Sequence, residues 1–270
     1  MLKRALLIGI NYTDVSGVSL RGCIDDIDGM KNTLVAHYGY DPANILMLRD
    51  DLKDYMPTRD NMMKALYQLM SASGKCSEIF IHYSGHGSQI QDPSSNDAYD
   101  SVIVPVDYQT NGLIADHELF TALQYSKCPT MVVMDCCHSG NVCELQYTTE
   151  YLYNDLFSTP KNKRPPMNNP NIVVFSGCKE SQTAADIYDT DDRDYEGAFT
   201  DALLDALKLF QYSVSIKPLY QQVCRALEKG GFKQKPLVSS SSGNLSWVFT
   251  PVKATQLTTK KVIQQRFKLF

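Results

Sequence analysis

Short apolar runs alternate along this chain with segments in which apolar residues recur at helical spacing. The apolar runs, typical of strands covered on both faces, lie at residues 5–10, 45–48, 131–134 and 172–175, and a further strand is predicted at residues 79–83, where one histidine stands among apolar residues. The segments with helical spacing lie at residues 24–38, 58–70, 116–125, 198–210 and 216–227. Because strand and helix follow each other in turn, the pattern predicts an α/β fold: a mostly parallel central sheet with helices on both faces.

A proline-rich segment divides this pattern. Residues 158–170 contain four prolines, which predict an irregular linker because proline lacks an N–H and fixes its own backbone. We therefore predict one domain over residues 1–252, whose first part spans residues 3–157 and whose second part spans residues 171–252.

The end of the chain carries two further features. Residues 237–239 and 245–249 are predicted to close the domain as a pair of strands around a serine-rich turn. The tail at residues 253–270 combines basic and apolar side chains. It is predicted to be either an amphipathic helix that docks on the core or a segment that binds a partner or a membrane surface.

Composition narrows the class of protein. The 270 residues are 43% hydrophobic and 21% charged, which excludes a disordered or collagen-like chain. A net charge of -4 argues against a nucleic-acid partner, because binding to phosphates requires clustered basic residues. No apolar run approaches the ~18 residues of a transmembrane segment. The eight cysteines are sparse and suit reduced thiols, so we expect a cytoplasmic protein.

Polar and reactive residues follow two of the predicted strands directly. Ser-Gly-His-Gly occupies residues 84–87, after the strand at 79–83, and Asp-Cys-Cys-His-Ser-Gly occupies residues 135–140, after the strand at 131–134. Chemistry in parallel sheets lies at the carboxyl ends of strands. We therefore expect an imidazole and a thiol to share one crevice.

His86 and one cysteine of this crevice suit nucleophilic catalysis. A nearby imidazole generates the thiolate, which is the reactive form of cysteine. Adjacent residues of an extended segment point to opposite sides, so only one of Cys136 and Cys137 can face His86. The backbone N–H of Gly87, together with that of Cys137, is predicted to bind the oxyanion of the transition state. On these residues alone, a buried structural thiol beside a hydrogen-bonding histidine remains an equal alternative.

Two motifs of this chain resemble the His and Cys motifs of metacaspases. They are Tyr-Ser-Gly-His-Gly at residues 83–87 and Asp-Cys-Cys-His-Ser-Gly at residues 135–140, and their spacing agrees with the caspase clan, in which the His lies about 50 residues upstream. Further matches, which extend the resemblance over nearly the whole chain, lie at residues 5–11, 20–26, 105–107 and 182–186. The resemblance implies a caspase-like fold and a cysteine endopeptidase, with Cys137 as the nucleophile and His86 as general base and acid.

The resemblance also implies an acidic substrate pocket. Asp26 and Asp135 match carboxylates that pair with a guanidinium in a two-pronged geometry. Cys23 and Ser84 match positions that line this pocket. The expected partners are therefore protein or peptide substrates with Arg or Lys before the cut bond, and the enzyme is expected to be a monomer.

Calcium is the cofactor that the resemblance implies. The matching ligands are Asp100, Asp116 and Glu144, whereas His117 stands where the family usually has a further Asp. Calcium prefers oxygen ligands, so an imidazole in place of a carboxylate predicts a weakened calcium requirement or affinity.

The sequence leaves processing and specificity open. Lys161, Lys163 and Arg164 make the linker a candidate self-cleavage site, with a plain solvated loop as an equal alternative. One alternative function is that of a caspase-fold protein that only binds partners, which an intact Cys/His pair argues against. Another is a clan relative with other specificity, such as an asparaginyl peptidase, which two pocket carboxylates argue against.

Overall fold

The structure, a computed structural model, is built from strands and helices that alternate through most of the chain. It describes residues 1–15, 17–91, 99–136, 143, 145–152, 155–160, 166–178, 197–232, 234–245 and 247–252. In these residues the strands are β1 (Lys3–Gly9), β2 (Ile45–Arg49), β3 (Glu78–Ser84), β4 (Gly87–Gln91), β5 (Tyr99–Ile103), β6 (Ile114–Ala115), β7 (Thr130–Asp135), β8 (Tyr147–Leu152), β9 (Asp155–Pro160), β10 (Ile172–Ser176), β11 (Val214–Ser215), β12 (Leu237–Ser240) and β13 (Val248–Phe249). The α-helices are α1 (Cys23–Tyr38), α2 (Arg59–Ala72), α3 (Tyr108–Asn111), α4 (Asp116–Leu123), α5 (Ala198–Leu209) and α6 (Ile216–Lys229). Short 3₁₀ helices lie at Pro42–Asn44, Lys53–Tyr55 and Ser73–Lys75.

A mixed sheet of eight strands forms the centre of the described fold, in the order β2-β1-β3-β7-β10-β12-β8-β9. Neighbouring strands from β2 to β10 in this order pair in parallel, whereas β12, β8 and β9 join antiparallel. This arrangement confirms the predicted α/β fold with a mostly parallel sheet. Because β3 and β7 are adjacent and parallel, with Ser84 opposite Asp135, both strands end at the same edge of the sheet.

Helices cover both faces of the sheet, as the unbroken apolar runs predict. Successive residues of a strand point to opposite faces, so Leu6 and Ile8 of β1 pack with α2 and α4 in one core cluster. Ala5 and Leu7 of the same strand pack with α1, α5 and α6 in the other cluster. Both sets are almost inaccessible to water, which explains why β1 contains no polar alternation.

The helix boundaries follow the local chemistry of the sequence. Thr58 caps α2, because its hydroxyl accepts a hydrogen bond from the N–H of Asn61 at 3.3 Å. Helix α1 ends at Gly39, which adopts a left-handed conformation with φ 71°.

The predicted closing pair of strands is wrong. Strand β12 pairs with β10 and β8 inside the central sheet. The last described strand, β13, pairs instead with β11, the two-residue strand that directly precedes α6. Local strand patterns at residues 237–239 and 245–249 carried no information on the partner, because the partner of each strand lies far away in the sequence.

The first three residues of the predicted linker belong to a strand. Residues 158–160, which the proline count assigned to the linker, form the second half of β9. Proline is tolerated there because β9 is the edge of the sheet, so the missing N–H leaves no neighbouring strand unpaired. Residues 161–165 of the linker and the tail at 253–270 lie outside the described residues, and their predicted roles stay predictions.

Two general properties of the described residues bear on the class of protein. None of the helices in this part of the chain is long and apolar enough to cross a membrane. The seven cysteines that the structure describes form no disulfide with one another.

Candidate active site

The backbone of His86 is held on both sides by buried tyrosines. The N–H of His86 donates to Tyr12 Oη at 3.1 Å, and Tyr83 Oη donates to the carbonyl of His86 at 2.7 Å. Burial raises the pKa of both phenols well above the ordinary value, so both hydroxyls keep their protons. Residue 85 packs closely against both phenols, and only glycine leaves enough room there. A Cβ at this position would lie 2.8 Å from Tyr83 Oη and 3.1 Å from Tyr12 Oη. The loop that carries His86 is therefore fixed in one conformation.

The imidazole of His86 is oriented by a backbone carbonyl. Its Nε2 lies 2.7 Å from the carbonyl oxygen of Val18. Because a carbonyl only accepts, Nε2 carries the proton, and Nδ1 of the neutral ring is the acceptor. Burial lowers the pKa of His86, against the opposing effect of the Val18 bond, and keeps the ring neutral at neutral pH. Nδ1 is therefore the nitrogen available to take a proton.

The segment with the predicted nucleophile leaves the sheet beside His86. Gly85 N donates to the carbonyl of Asp135 at 3.2 Å, which joins the ends of β3 and β7. Cys136 follows β7 directly and is buried in the core cluster of α2 and α4, with an exposed fraction of 6%. Such burial supports the prediction that Cys136 is not the reactive thiol. Cys137 itself lies outside the described residues.

Two buried carboxylates lie at the same edge of the sheet. Ser84 Oγ, at the end of β3, donates to Asp26 Oδ2 at 2.6 Å. Asp135, at the end of β7, accepts at Oδ2 from the backbone N–H of Thr200 at 2.9 Å and from the Thr200 hydroxyl at 2.6 Å. The structure thus brings three of the predicted pocket residues together. We call Asp26 and Asp135 the carboxylate pair.

The carboxylate pair has no cationic partner within the described residues, where no Lys or Arg makes a salt bridge to either side chain. The pKa of Asp26 is raised, first by burial and then by the negative charge of Asp135. The pKa of Asp135 is raised by burial, although the Thr200 bonds oppose the rise. Two buried carboxylates without a counter-charge among the described residues destabilise each other, and a cation placed between them would relieve this repulsion.

The start of α1 is placed by close contact with β1. The N–H of Cys23 donates to Asn11 Oδ1 at 3.0 Å. A Cβ at Gly9 would lie 2.6 Å from the carbonyl oxygen of Cys23, so only glycine allows this approach. Cys23 is buried in the first turn of α1, the same turn that presents Asp26.

A second acidic group lies on β5 and α4. Single oxygen or nitrogen atoms of Asp100, Asp116 and His117 all lie within 4.8 Å of one another. Asp100 and Asp116 are buried, whereas the His117 side chain is 51% exposed. Asp116 already accepts from the N–H groups of Ser101 at 3.0 Å and His117 at 2.6 Å. The donor set fits a divalent cation, but it offers calcium fewer free oxygens than a set of carboxylates would.

The remaining predicted site residues are tested less directly. Gly87 is the first residue of β4 and lies opposite Ile103, and its role in the oxyanion hole stays a prediction. Glu144 lies outside the described residues. Val18 and Thr200 were not predicted as site residues, since a backbone carbonyl leaves no trace in the sequence and a threonine at a helix start is common.

Two solved structures share this fold. A protein from Geobacter sulfurreducens superposes with a TM-score of 0.61 at 21% identity, over 89% of this chain and 94% of its own. Caspase-1 from Spodoptera frugiperda superposes with a TM-score of 0.54 at 14% identity, over 88% of this chain and 88% of its own. With a histidine and a cysteine-bearing segment at adjacent strand ends, the protein has the fold of the caspase class.

Similar sequences identify the family within this fold class. The family profile described as "Metacaspase, peptidase C14 domain" matches residues 3–146. Metacaspase-1B of Neosartorya fischeri is 30% identical over 93% of this chain and 72% of its own length. Metacaspase-1 of Saccharomyces cerevisiae is 32% identical over 88% of this chain and 66% of its own length. Metacaspase-1 of Eremothecium gossypii is 35% identical over 67% of this chain and 39% of its own length.

The chain belongs to the metacaspase family, whose members are cysteine-type peptidases. It spans between 39% and 72% of the length of these relatives. The predicted family and fold are therefore confirmed.

Proposed function

We propose that this protein is a cysteine endopeptidase that cleaves peptide bonds after Arg or Lys. The observation that carries the proposal is the carboxylate pair, which is buried, has no cationic partner among the described residues and lies at the same sheet edge as the loop of His86. A guanidinium or ammonium group supplies the missing charge, and a guanidinium matches carboxylates in a two-pronged geometry. Protein and peptide chains with a basic residue before the cut bond are the corresponding substrates.

The proposed reaction begins at the thiol of Cys137. Because the proton on Nε2 of His86 is held by the Val18 carbonyl, Nδ1 takes the thiol proton. The thiolate attacks the peptide carbonyl, and backbone N–H groups, including that of Gly87, bind the oxyanion. The carbon–nitrogen bond breaks as His86 returns the proton to the leaving amine. Water, activated by the same imidazole, then hydrolyses the thioester.

The proposal is tested by fluorophore release from peptides ending in Arg, Lys, Asn or Asp. Wild type is expected to cleave after Arg and Lys, and Cys137→Ala is expected to be inactive. Asp26→Asn is expected to lower kcat/KM for Arg by roughly 10- to 100-fold, the effect of losing one charged hydrogen-bond partner. Asp25→Asn removes the same charge from an exposed neighbour on α1 and is the matched control, expected to change kcat/KM by less than about threefold.

Two outcomes would redirect the proposal. Cleavage after Asn or Asp with equal efficiency would favour a clan relative of other specificity. Wild type that cleaves no peptide, with or without calcium and also after cleavage of the 158–170 linker, would favour a caspase-fold protein that only binds partners.

We propose further that calcium binds weakly, at Asp100 and Asp116 together with Glu144. The buried carboxylates support a cation site, and the imidazole of His117 weakens it for calcium. Restoring a carboxylate with His117→Asp is expected to tighten calcium binding by roughly tenfold or more in calorimetry. His37→Asp, at a histidine remote from this site on α1, is the matched control. Equal calcium affinity in wild type and His117→Asp would contradict the assignment.

We also propose that the linker is cut by the enzyme itself after Lys161, Lys163 or Arg164. Mass spectrometry of purified wild type is expected to find fragments that end at one of these residues. Cys137→Ala, purified in the same way, is expected to remain whole. Equal fragmentation of both would assign the cuts to another protease.

A further inference from the structure

Thr200 connects one member of the carboxylate pair to a buried histidine. Its hydroxyl lies 2.6 Å from Asp135 Oδ2 and 3.2 Å from Nε2 of His82. Thr200 and His82 both have an exposed fraction of 0%. Water therefore does not reach these contacts, and the geometry of Asp135 is set by protein groups.

The direction of each hydrogen bond in this chain follows from what each atom can do. An ionised carboxylate only accepts hydrogen bonds, so the Thr200 hydroxyl donates its single proton to Asp135. The oxygen of Thr200 can then only accept from His82, which requires the proton of the imidazole to be on Nε2. Nδ1 of His82 consistently has no hydrogen-bond partner in the described residues. The order of donors is thus His82 to Thr200 to Asp135.

The first turn of α5 contacts both members of the carboxylate pair. The N–H of Thr200 gives Asp135 Oδ2 a second bond at 2.9 Å, and the positive end of a helix of 12 residues favours a negative charge there. Gly197 precedes the helix with φ 77°, and a Cβ at this position would lie 3.2 Å from Asp26 Oδ1. A displacement of this turn would therefore move Asp135 and change the space beside Asp26.

Both bonds to Asp135 end on the same oxygen. Oδ2 accepts from the N–H and the hydroxyl of Thr200, and no described residue donates to Oδ1. With Oδ2 fixed, the rotation of the carboxylate is fixed, and Oδ1 remains for a ligand. The hydroxyl of residue 200 thus supplies one of the two bonds that orient the charge that a basic side chain would meet.

We propose that Thr200 is a specificity-determining positioning residue, which orients Asp135 toward the basic side chain of the substrate and is itself oriented by His82. This inference rests on the proposed function, because it assigns the role of Thr200 within that substrate pocket. Thr200 does not touch the substrate. Its effect passes through Asp135 and is expected in substrate binding rather than in the chemical step.

The test compares Thr200→Val, which removes the hydroxyl and keeps the branched shape, with Thr200→Ser, which keeps the hydroxyl. Thr148→Val makes the same change at a buried threonine whose hydroxyl has no hydrogen-bond partner in the described residues, and is the matched control. KM and kcat are measured with Arg-ended peptides, and binding of agmatine, a small guanidinium ligand, is measured by calorimetry.

Thr200→Val is expected to raise KM and the Kd of agmatine by roughly tenfold or more, as the loss of a hydrogen bond to a charged group implies, with kcat within about threefold of wild type. Thr200→Ser and Thr148→Val are expected to match wild type. Unchanged KM and Kd in Thr200→Val, with wild type active on Arg peptides, overturn the role of Thr200 and leave the proposed function intact. The role of Thr200 is also overturned if Thr200→Val lowers only kcat, or if Thr200→Ser shows the same rise in KM and Kd as Thr200→Val. Wild type that neither cleaves Arg peptides nor binds agmatine overturns the proposed function, and the role of Thr200 with it.

Discussion

Acidification is expected to unfold this protein partly through one histidine that the active site does not use directly. His82 lies in the middle of β3, between Leu7 of β1 and Val133 of β7, and has an exposed fraction of 0%. Burial lowers the pKa of His82 from 6.5 to about 3. The folded protein therefore holds this ring neutral over a range of pH in which the unfolded chain protonates it.

The sign and size of the effect follow from these values. The folded-state pKa of His82 is depressed, so its contribution to stability is complete above the unfolded pKa near 6.5 and is lost as pH falls toward 3. At about pH 5 the unfolded chain gains about 2 kcal/mol from protonation of His82 that the folded protein does not gain. At about pH 3 the same term approaches roughly 4 kcal/mol.

The carboxylate pair acts in the opposite direction. Burial raises the pKa of Asp26 and Asp135 in the folded protein, so their protonation on acidification stabilises the fold. The pH dependence of wild type alone is therefore a sum of opposing terms. A variant that cannot titrate at residue 82 isolates the histidine.

The assay is urea unfolding, followed by the fluorescence of the single tryptophan, Trp247, at about pH 7.5 and about pH 5. Between these two pH values, wild type is expected to lose about 2 kcal/mol of unfolding free energy relative to His82→Gln. His82→Asn, a second side chain without charge, is expected to give the same difference. If wild type and both variants show equal pH dependence, His82 is not held neutral by the fold.

Two further substitutions test the loop that carries His86. Tyr12→Phe removes the hydroxyl that accepts from the N–H of His86 and donates to the carbonyl of Val104. The variant is expected to lose about 1 to 3 kcal/mol of unfolding free energy in urea and to have a lower kcat. A wild-type unfolding free energy together with a wild-type kcat would contradict the fixed loop. Gly85→Ala places a methyl group 2.8 Å from Tyr83 Oη and is expected to lower the unfolding free energy by about 1 to 3 kcal/mol. Gly74→Ala, whose methyl group would have its nearest contact at 3.5 Å, is the matched control. Equal stability of the two variants would refute the close packing at Gly85.

The sequence predicts the parts of this fold that are buried on both faces. Strands β3 and β7 lie at the centre of the sheet and contain no polar alternation, so their ends, and the reactive residues beyond them, are visible as breaks in apolar runs. Strands β8 and β9, the last two of the sheet, escaped prediction because they are partly exposed and their sequences, Tyr-Thr-Thr-Glu-Tyr-Leu and Asp-Leu-Phe-Ser-Thr-Pro, contain no apolar run.

Some residues of the candidate site can be predicted from the sequence, and others cannot. His86 stands out in the sequence because a reactive side chain directly follows a predicted strand, whereas Ser84 and the carboxylate pair were predicted only through the resemblance to metacaspases. Val18 contributes only a backbone carbonyl, so any residue type could stand there. Thr200 reaches Asp135 across 65 positions of sequence, and its role exists only once α5 has docked on the sheet.

The identity of the reactive thiol is the central claim that remains to be measured. A peptide that ends in an arginine chloromethyl ketone alkylates the thiolate that His86 activates, and mass spectrometry of the digested protein locates the adduct. The adduct is expected on Cys137, is expected to form in Cys136→Ala at close to the wild-type rate, and is expected to be absent from Cys137→Ala. An adduct on Cys136, or equally fast labelling by the matching aspartate reagent, would contradict a basic-specific peptidase that acts through Cys137.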